Sequence, residues 1–343
     1  MSLIINCVIM NNLISSIKVE NLTKKFNDFI AVDGISFDVK EGELFGLLGP
    51  NGAGKTTTLN MLSTLLKPTS GKAEIVGFDV SEKKNDVRNS IGMVFQDPAI
   101  DVNLTGKENL QFHAMMYGMK KKEREERIKE VLGLVELTDK ANQLVEKYSG
   151  GMKRRLEIAR GLMHRPKVLF LDEPTLGLDA QTRRSIWNYI KKMNKESNVT
   201  IILTTHYMEE ADYLCDRVAI IDHGKIVALD TPNNLKDILG GDVVSLEIGP
   251  KSGLLAKSLE KIKWIKSIKH HDGTLSLTME NGERRIPELV KISERKKIEI
   301  LSVNFHKPSL EDVFLYFTGK LIRDQEGNQN EMMRQMMRRR MGR

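Results

Sequence analysis

The stretch Gly49-Pro50-Asn51-Gly52-Ala53-Gly54-Lys55-Thr56-Thr57 decides the fold of this chain. An apolar run at 43–48 precedes it and predicts a buried strand, and residues 58–62 after it predict a helix. Glycines in such a loop let backbone N–H groups turn toward phosphate oxygens, and the helix adds the positive end of its dipole. We therefore predict a phosphate-binding loop in which Lys55 reaches the β- and γ-phosphates and the Thr56 hydroxyl binds Mg²⁺.

Two acids follow a second apolar run. Residues 168–171 predict a strand, and Asp172, Glu173 and Pro174 come directly after it. Parallel α/β sheets bind their ligands at the carboxyl ends of the strands. We therefore expect Asp172 to hold Mg²⁺ through water, and Glu173 to polarise the water that attacks the terminal phosphate.

Two further strand ends carry polar side chains. The run 200–204 is followed by Thr205 and His206, and the run 91–95 ends at Gln96. In this fold a histidine at a strand end can contact the γ-phosphate, although an isolated histidine is normally structural. The amide of Gln96 can contact both the metal and the water, but taken alone this residue has no clear meaning.

The segment Tyr148-Ser149-Gly150-Gly151-Met152-Lys153 lies between a charged helical region and the strand at 168–171. Ser-Gly-Gly before a helix offers a hydroxyl and backbone N–H groups to an anion. With the motifs above, and in the same order, the chain resembles the ATP-binding subunits of ABC transporters up to about residue 230.

That resemblance implies ATP and Mg²⁺ as cofactors and assigns roles to individual residues. It assigns catalytic roles to Glu173, His206 and Gln96, and metal contacts to Thr56, Gln96 and Asp172. It assigns nucleotide contacts to Phe26, Gly49, Pro50, Asn51, Gly52, Ala53, Gly54, Lys55, Thr56, Thr57, Ser149, Gly150, Gly151 and Asp179. Phe26 is the adenine-stacking aromatic in this assignment, and its alternative is a core position in an N-terminal strand.

One branch of the family matches more closely. Tyr148 and Met152 replace the Leu and Gln that most often flank Ser-Gly-Gly, and the run 148–157 resembles the daunorubicin-resistance-type exporters. Phe95-Gln96-Asp97-Pro98 and the run 308–314 resemble the same branch. Export as the direction of transport rests on this resemblance. The transported molecule is not readable, because its pocket lies in another polypeptide.

The family also implies partners. Two nucleotide-binding units face each other head to tail with ATP between them, and this chain has one phosphate loop and one Ser-Gly-Gly segment. We therefore expect a homodimer, or a pair with a related subunit, that drives a separate integral membrane permease. The expected location is cytoplasmic, peripheral on the inner face of the cell membrane.

The fold class we predict is α/β, with four segments along the chain. The predicted segments are an N-terminal extension at 1–16, an ABC ATPase domain at 17–239 with antiparallel β and helical subdomains (the latter at about 97–165), a small ferredoxin-like α+β accessory domain at 240–320, and a basic Met/Arg-rich tail at 321–343. Met10 is an alternative start. The order βαββαβ supports the accessory domain, and its last strand is predicted at 298–303.

Composition limits the alternatives. Hydrophobic residues make up 40% and charged residues 29%, and no apolar stretch reaches the roughly 18 residues of a membrane span. The 2 cysteines exclude a disulfide framework and a cysteine-rich zinc module. The net charge is +7, but residues 331–343 hold five arginines and one glutamate, so this charge is weak evidence for nucleic-acid binding. This end of the tail is either disordered or a basic amphipathic helix on an anionic membrane or in a partner groove.

The competing hypothesis is a soluble ABC ATPase that acts on nucleic acid or ribosomes. Chromosome-type members insert a long coiled coil between the phosphate loop and Ser-Gly-Gly, whereas here only residues 56–148 intervene. Ribosome-type members usually carry two ATPase units in one chain. A carbohydrate-exporter subunit would usually add a β-sandwich, which the mixed pattern after residue 240 disfavours.

Overall fold

The computed structural model describes residues 15–248, 252–260, 262–271 and 273–319. The predicted basic tail lies outside these residues, as does the predicted N-terminal extension apart from Ser15 and Ser16. The chain divides into two compact units: one holds the residues up to Leu44 and Thr56–Leu203, the other holds Phe45–Lys55 and the residues from Thr204 onward. No helix in the described part of the chain combines the length and the apolar character that a bilayer crossing requires.

The elements up to residue 205 include both strands and helices. They are β1 (Ser15–Phe26), β2 (Phe29–Lys40), β3 (Leu44–Leu48), α1 (Lys55–Leu62), β4 (Ser70–Ile75), β5 (Phe78–Asp79), α2 (Lys84–Ser90), β6 (Ile91–Val94), α3 (Gly106–Met116), α4 (Lys121–Leu134), α5 (Gly150–Gly161), β7 (Val168–Asp172), α6 (Ala180–Ser197) and β8 (Thr200–Thr205).

The remaining elements all belong to the second unit. They are α7 (Met208–Leu214), β9 (Arg217–Asp222), β10 (Lys225–Asp230), α8 (Pro232–Asp237), β11 (Asp242–Glu247), α9 (Ser252–Leu259), β12 (Ile265–His271), β13 (Thr274–Met279), α10 (Gly282–Arg295), β14 (Ser302–His306) and α11 (Leu310–Thr318).

The first unit contains two kinds of sheet. One is antiparallel, in the order β2-β1-β4-β5, with Ile17 opposite Val39 on β2 and Ile75 on β4. The other orders its strands β8-β7-β6, with β6 and β7 parallel. Every residue of β7 is buried, as expected for a parallel strand covered on both faces. The predicted antiparallel subdomain is therefore present.

The helical segment of the first unit begins with a capping box at α3. The Thr105 hydroxyl accepts from the Glu108 N–H, and the Glu108 carboxylate accepts in return from the Thr105 N–H. The charge run at 120–126, at the start of α4, is mostly exposed, as is usual for a helix face with charges of both signs. Arg127 is the exception, because it is buried and donates to the carbonyl of Met163 at 3.2 Å.

The second unit begins with β3. This strand is buried throughout and runs parallel to β9, which pairs with β10 in antiparallel fashion. Farther along, four strands form an antiparallel sheet in the order β12-β13-β11-β14. In order of appearance these strands read 2-3-1-4, the arrangement of the predicted ferredoxin-like fold. Helices α9 and α10 alternate with the strands, and Leu246, Leu277 and Leu289 are fully buried in its core.

The last strand of this sheet begins later than its sequence indicates. The predicted strand at 298–303 is wrong by about four residues, since β14 spans Ser302–His306. The end of α10 explains the shift: the Ile298 N–H donates to the Ser293 carbonyl at 3.0 Å, and Lys297 adopts a φ of +54°. Ile298 thus belongs to the end of α10 and not to a strand. Its apolar, β-branched side chain does not distinguish between these two positions in the sequence.

Helix α11 closes the second unit. Ser309 and Asp312 form a capping box at its N-terminus, and the helix packs against α7 and α8. The residues after 240 therefore share one compact unit with elements before it, and the predicted boundary at 239–240 stays a prediction.

We expect Phe314→Ala to destabilise the protein by about 3–5 kcal/mol, because a fully buried phenylalanine leaves a cavity that its neighbours only partly fill. Phe317→Ala is the matched control on the same helix, since Phe317 is 39% exposed and its replacement should cost less than about 1 kcal/mol. Urea unfolding followed by circular dichroism measures both. Equal losses in the two variants would contradict the packing of α11 described above.

Candidate functional site

The glycine-rich loop follows β3 and is tightly packed at its first residue. The Gly49 N–H donates to the carbonyl of Thr205 at 3.2 Å, directly before His206 at the end of β8. A Cβ atom at position 49 would lie 2.2 Å from the carbonyl oxygen of Ile221, so only glycine fits there. Gly54 has a φ of +106°, a conformation that other residues rarely adopt. The backbone thus forms the open loop that the sequence predicts.

Lys55 begins α1 and turns back over this loop. Its Nζ donates to the carbonyls of Gly49 at 2.7 Å and Pro50 at 3.1 Å, and the side chain is buried. A cation beside the N-terminus of a helix makes the loop a favourable place for a phosphate group. The residues therefore fit a nucleotide phosphate.

The next residue contacts the acid that was predicted to share its metal. The Thr56 hydroxyl donates to Oδ1 of Asp172 at 3.1 Å. Asp172 is buried at the carboxyl end of β7. Hydroxyl and carboxylate oxygens are ligands that Mg²⁺ prefers, so this pair fits a magnesium site.

Glu173 follows in an unusual conformation. Its side chain is buried and its φ is +46°, in the left-handed region that costs a non-glycine residue on the order of 1–3 kcal/mol. Such strain persists only where neighbouring groups hold the backbone in place.

Arg154 on α5 is one of the groups that hold it. Its guanidinium donates to the carbonyls of Pro174 at 2.7 Å, Asp172 at 3.0 Å and Glu173 at 3.2 Å. It also donates to the carbonyl of Phe95 at 2.7 Å, directly before Gln96. One buried side chain therefore joins the loop after β7 to the loop after β6.

Glu157 completes the arrangement one helical turn later. Its carboxylate pairs with Arg154 at 2.9 Å and accepts from the N–H of Ala99 at 2.6 Å, so it holds the far side of the Gln96 loop. Sequence reasoning missed Arg154 and Glu157 as site residues. The sequence does show an arginine and a glutamate three residues apart on the helix that follows Ser-Gly-Gly. This spacing allows the two side chains to pair, but charged residues on a helix are usually solvated.

The Ser-Gly-Gly segment begins α5. Ser149 is the N-cap, and its hydroxyl accepts from the N–H of Met152 at 3.2 Å. Ser149 and Gly150 are exposed, whereas Gly151 is buried. The exposed end of this helix is therefore accessible to a ligand that another molecule presents.

Asp179 caps a helix within the subunit. It is the N-cap of α6 and accepts from the hydroxyl of Thr182 at 2.6 Å and from its N–H at 2.9 Å. These hydrogen bonds from Thr182 hold the pKa of the Asp179 carboxyl below its usual range. Its predicted nucleotide contact stays a prediction.

Phe26 and Gln96 are both accessible. Phe26 ends β1 and is 44% exposed, so the alternative of a core position is wrong. The Lys24 ammonium lies 5.0 Å from the centre of the Phe26 ring, so one face of this ring is accessible to polar groups. Gln96 is exposed in the loop after β6.

Two family descriptions match the chain. Residues 32–176 match the ABC transporter family, and residues 231–318 match the C-terminal domain of DrrA1-3-like ATP-binding proteins. The linearmycin resistance ATP-binding protein LnrL of Bacillus subtilis is 38% identical over 311 residues, covering 90% of this chain and 100% of LnrL.

The chain belongs to the ATP-binding subunits of ABC transporters. The daunorubicin/doxorubicin resistance ATP-binding protein DrrA of Streptomyces peucetius is also 38% identical, over 89% of this chain and 92% of DrrA. The resemblance to the daunorubicin-resistance-type branch is thus confirmed. The subunit is an ATP hydrolase, and the alternative of an ATPase acting on nucleic acid or ribosomes is not supported.

Solved ABC cassettes share the fold of the subunit. The ATP-binding cassette MJ0796, solved as a dimer bound to ADP and Pi, is 31% identical with a TM-score of 0.56, covering 63% of this chain and 98% of that one. CbiO1 from Clostridium perfringens is 29% identical with a TM-score of 0.61, covering 72% of this chain and 96% of that one. The predicted α/β P-loop fold is therefore confirmed.

Replacing Arg154 tests the connection between the two loops. We expect Arg154→Met to destabilise the protein by about 3–5 kcal/mol, because it leaves Glu157 buried without its cationic partner. ATP turnover should also fall, because the backbone at Asp172 and Glu173 is no longer held. Stability is measured by urea unfolding and turnover by phosphate release.

Arg155→Met is the matched control for this change. Arg155 is the neighbouring residue, and its pair with the exposed Glu136 is 3.5 Å long. Its replacement should change stability by less than about 1 kcal/mol. If both variants turned over ATP at the wild-type rate, the positioning role of Arg154 would be wrong.

Proposed function

We propose that the subunit binds Mg-ATP at residues 49–57, dimerises around it, hydrolyses it, and thereby drives export of a drug-like compound through a separate membrane permease. The observation that supports this best is the contact of Thr56 with Asp172, with the strained Glu173 next to it. This contact supports a metal-binding role for Thr56 and Asp172 and the role of a base for the adjacent Glu173.

Each predicted residue has a task in this reaction. Backbone N–H groups of the loop and Lys55 bind the phosphates, and Phe26 stacks on the adenine. Thr56, Asp172 and Gln96 hold Mg²⁺, which neutralises charge on the phosphate oxygens when it is bound. Glu173 accepts the proton of the attacking water, and His206 contacts the γ-phosphate. Because Arg154 holds the carbonyls beside Glu173 and Gln96, both side chains keep a defined position.

The exposed start of α5 supports the head-to-tail dimer. Ser149 and Gly150 offer a hydroxyl and backbone N–H groups at a helix N-terminus, where they would bind the γ-phosphate of ATP held by a second copy. Asp179, the N-cap of α6, contributes from the adjoining segment, since the neighbouring Leu178 and Thr182 lie beside Gly150 and Gly151. MJ0796, the dimeric cassette described above, is a precedent for a nucleotide-bound dimer.

The cargo and direction come from the relatives. LnrL is named for resistance to linearmycin, and DrrA for resistance to daunorubicin and doxorubicin. Resistance by a transporter requires removal of the compound from the cell, which supports export. This function also places the subunit in the cytoplasm, against the inner face of the membrane. Contact of the basic tail with anionic lipids stays a prediction from sequence.

An exposed apolar ridge on α3 supports docking to the permease. Phe112 is 63%, Met115 is 56% and Met116 is 71% exposed, and their spacing places them on one face of the helix. Large apolar side chains clustered on a surface mark interaction sites, and methionine adapts to irregular partners. We assign this ridge, residues 112, 115 and 116, to a cytoplasmic loop of the permease.

Glu173→Gln should reduce ATP turnover by about 10²–10⁴-fold, because the amide keeps the size of the side chain but cannot accept the proton. ATP binding should persist. Unhydrolysed ATP should then hold the dimer closed, so the variant should elute as a dimer with Mg-ATP and as a monomer without it. Gel filtration with light scattering measures the mass, and undiminished hydrolysis would rule out Glu173 as the base.

Adding Ser149→Arg to that variant tests the head-to-tail arrangement. A bulky side chain would fill the place of the partner's γ-phosphate, so the ATP-dependent dimer should disappear while each monomer still binds ATP. Arg155→Met is the control on the same helix, since Arg155 lies more than one turn beyond Ser149 and pairs with Glu136. A double variant that still dimerises with ATP would show that the two copies meet elsewhere.

The export proposal is tested in cells that carry the subunit with its permease. Cells with Glu173→Gln should accumulate more doxorubicin than cells with the wild-type subunit, at equal amounts of permease, because export needs repeated hydrolysis. Doxorubicin fluorescence inside the cells measures this. Lower accumulation in the variant would indicate uptake, and equal accumulation of both doxorubicin and linearmycin would exclude these compounds as cargo.

A further inference from the structure

A cavity of about 220 Å³ lies in the first unit, and none of the predicted nucleotide-binding residues lines it. Side chains of α3, α5 and the region of β6 surround it. It is lined by Ser63, Leu65, Arg88, Ile91, Met93, Phe95, His113, Tyr117, Arg160, Gly161 and His164. Tyr117 directly follows the exposed ridge on α3, so the cavity and the ridge are continuous along the chain.

Four buried nitrogens in this cavity have no hydrogen-bond partner among the residues that the structure describes. They are Nε and Nη2 of Arg160, Nε2 of His113 and Nδ1 of His164. A buried polar atom without a partner costs about 1–3 kcal/mol, so such atoms are rare in folded proteins. Their convergence on one cavity indicates a missing ligand.

The other buried arginines nearby show how unusual Arg160 is. Arg127 donates to the carbonyls of Leu162 and Met163 and pairs with Glu130, and Arg154 has the partners described above. In Arg160 the unsatisfied atoms are Nε and Nη2, whose N–H bonds point the same way along one edge of the guanidinium. This edge matches the two oxygens of a carboxylate.

The charges around the cavity also favour an anion. The Arg88 side chain lines it as a second cation and donates to the hydroxyl of Thr64 at 2.8 Å. The carboxylate of Glu157 is engaged with Arg154 and the Ala99 N–H. Glu157 acts on Arg160 electrostatically, but no carboxylate among the described residues accepts from Nε or Nη2 of Arg160.

The two histidines are neutral near pH 7. Burial, with the nearby Arg160, lowers the pKa of His113 to about 4, and burial also lowers the pKa of His164. His164 donates through Nε2 to the Ile91 carbonyl at 2.7 Å, so its Nδ1 is left as an acceptor. The ring of Tyr117 stacks on His164 with centroids 4.0 Å apart. The histidines thus add no charge, and Nδ1 of His164 does not bond to a carboxylate because both are acceptors, so Arg160 is the group that attracts an anion.

We propose that this cavity receives one aspartate or glutamate side chain from a cytoplasmic loop of the permease, with its carboxylate bound by Nε and Nη2 of Arg160. The inference rests on the proposed function, because it takes the permease as the partner of the α3 ridge. The exposed Tyr117 ring at the rim is the side chain best able to move aside. The carboxylate would satisfy both N–H groups at once in a site shielded from water, where charge-assisted bonds are strongest.

The position of Arg160 gives this contact a consequence for hydrolysis. Arg160 lies in the last turn of α5, and Arg154 on the same helix holds the carbonyls beside Gln96 and Glu173. A pull on the carboxylate by the permease therefore acts on the helix that orients the catalytic loops. This is a direct physical route from the permease to the ATPase site.

The test uses the full-length subunit and the permease that co-purifies with it in detergent, identified by mass spectrometry and placed in nanodiscs. Affinity is measured by biolayer interferometry for four proteins: wild type, Arg160→Gln, Arg160→Lys and Arg165→Gln. Arg165 is the matched control, because its exposed side chain pairs with Glu130 at 3.0 Å outside the cavity.

We expect Arg160→Gln to weaken binding roughly 30-fold or more, the loss typical of removing one member of a buried charge pair. Arg160→Lys should weaken it less, because it keeps the charge but loses the parallel N–H groups. Arg165→Gln should stay within about twofold of wild type. Hydrolysis by the subunit without permease should be unchanged in all three variants.

Reversing the charge at position 160 identifies the acidic residue of the permease that binds there. Arg160→Glu should abolish binding, and replacing one acidic residue of a permease cytoplasmic loop by arginine should restore it. Should Arg160 variants fail to fold, replacing that acidic residue by asparagine opposite the wild-type subunit tests the same contact. Wild-type binding by Arg160→Gln, or the absence of any restoring acid, overturns the inference alone. If the wild-type subunit binds no permease at all, the proposed function fails as well.

Discussion

The geometry of the ATPase site depends on the buried guanidinium of Arg154. It donates to four backbone carbonyls from two loops and pairs with a glutamate that holds the far side of one of these loops. A buried cation is costly unless nearly all its N–H groups find acceptors, so the loops must take the one arrangement that supplies them. That arrangement holds Glu173 in its left-handed conformation. The proposed catalytic acid is thus held through contacts to its own carbonyl and to those on either side of it.

Helix α5 carries residues with three different roles on one rigid element of 12 residues, about 18 Å long. Its N-terminus presents Ser149, its middle carries Arg154 and Glu157, and its last turn carries Arg160. A helix transmits a displacement along its axis because its backbone hydrogen bonds keep its length constant. In the proposed cycle, the same element would therefore respond to ATP in the opposite subunit at one end and to the permease at the other.

The C-terminal part has a different character. Its antiparallel sheet has its own buried core, yet α11 returns to pack against α7 and α8. Burial of α11 against helices that precede the sheet makes the accessory part and the end of the ATPase sequence stabilise each other. A ferredoxin-like sheet supports many functions, so the fold alone assigns none to it. The match of residues 231–318 to the DrrA1-3-like C-terminal domain sets this chain apart from cassettes that lack such an extension.

The sequence by itself determined the fold class, the nucleotide chemistry and the branch of the family. These follow from local patterns, since the glycine-rich loop between a strand and a helix, and acids at strand ends, carry their meaning within a few residues. Even there a local pattern could mislead: Ile298 reads as the start of a strand but completes the end of α10.

Only the tertiary structure decided what the charged residues of α5 do. In the sequence, Arg154, Glu157 and Arg160 look like any charged helix face, because residue type does not reveal burial or the direction of a side chain. Their partners lie in loops 18 to 59 residues away, and nothing local specifies which carbonyls will meet there. The role proposed for Arg160 also could not be recognised from the sequence. It depends on N–H groups that lack an acceptor among the described residues, and this is evident only once all the neighbouring residues are in place.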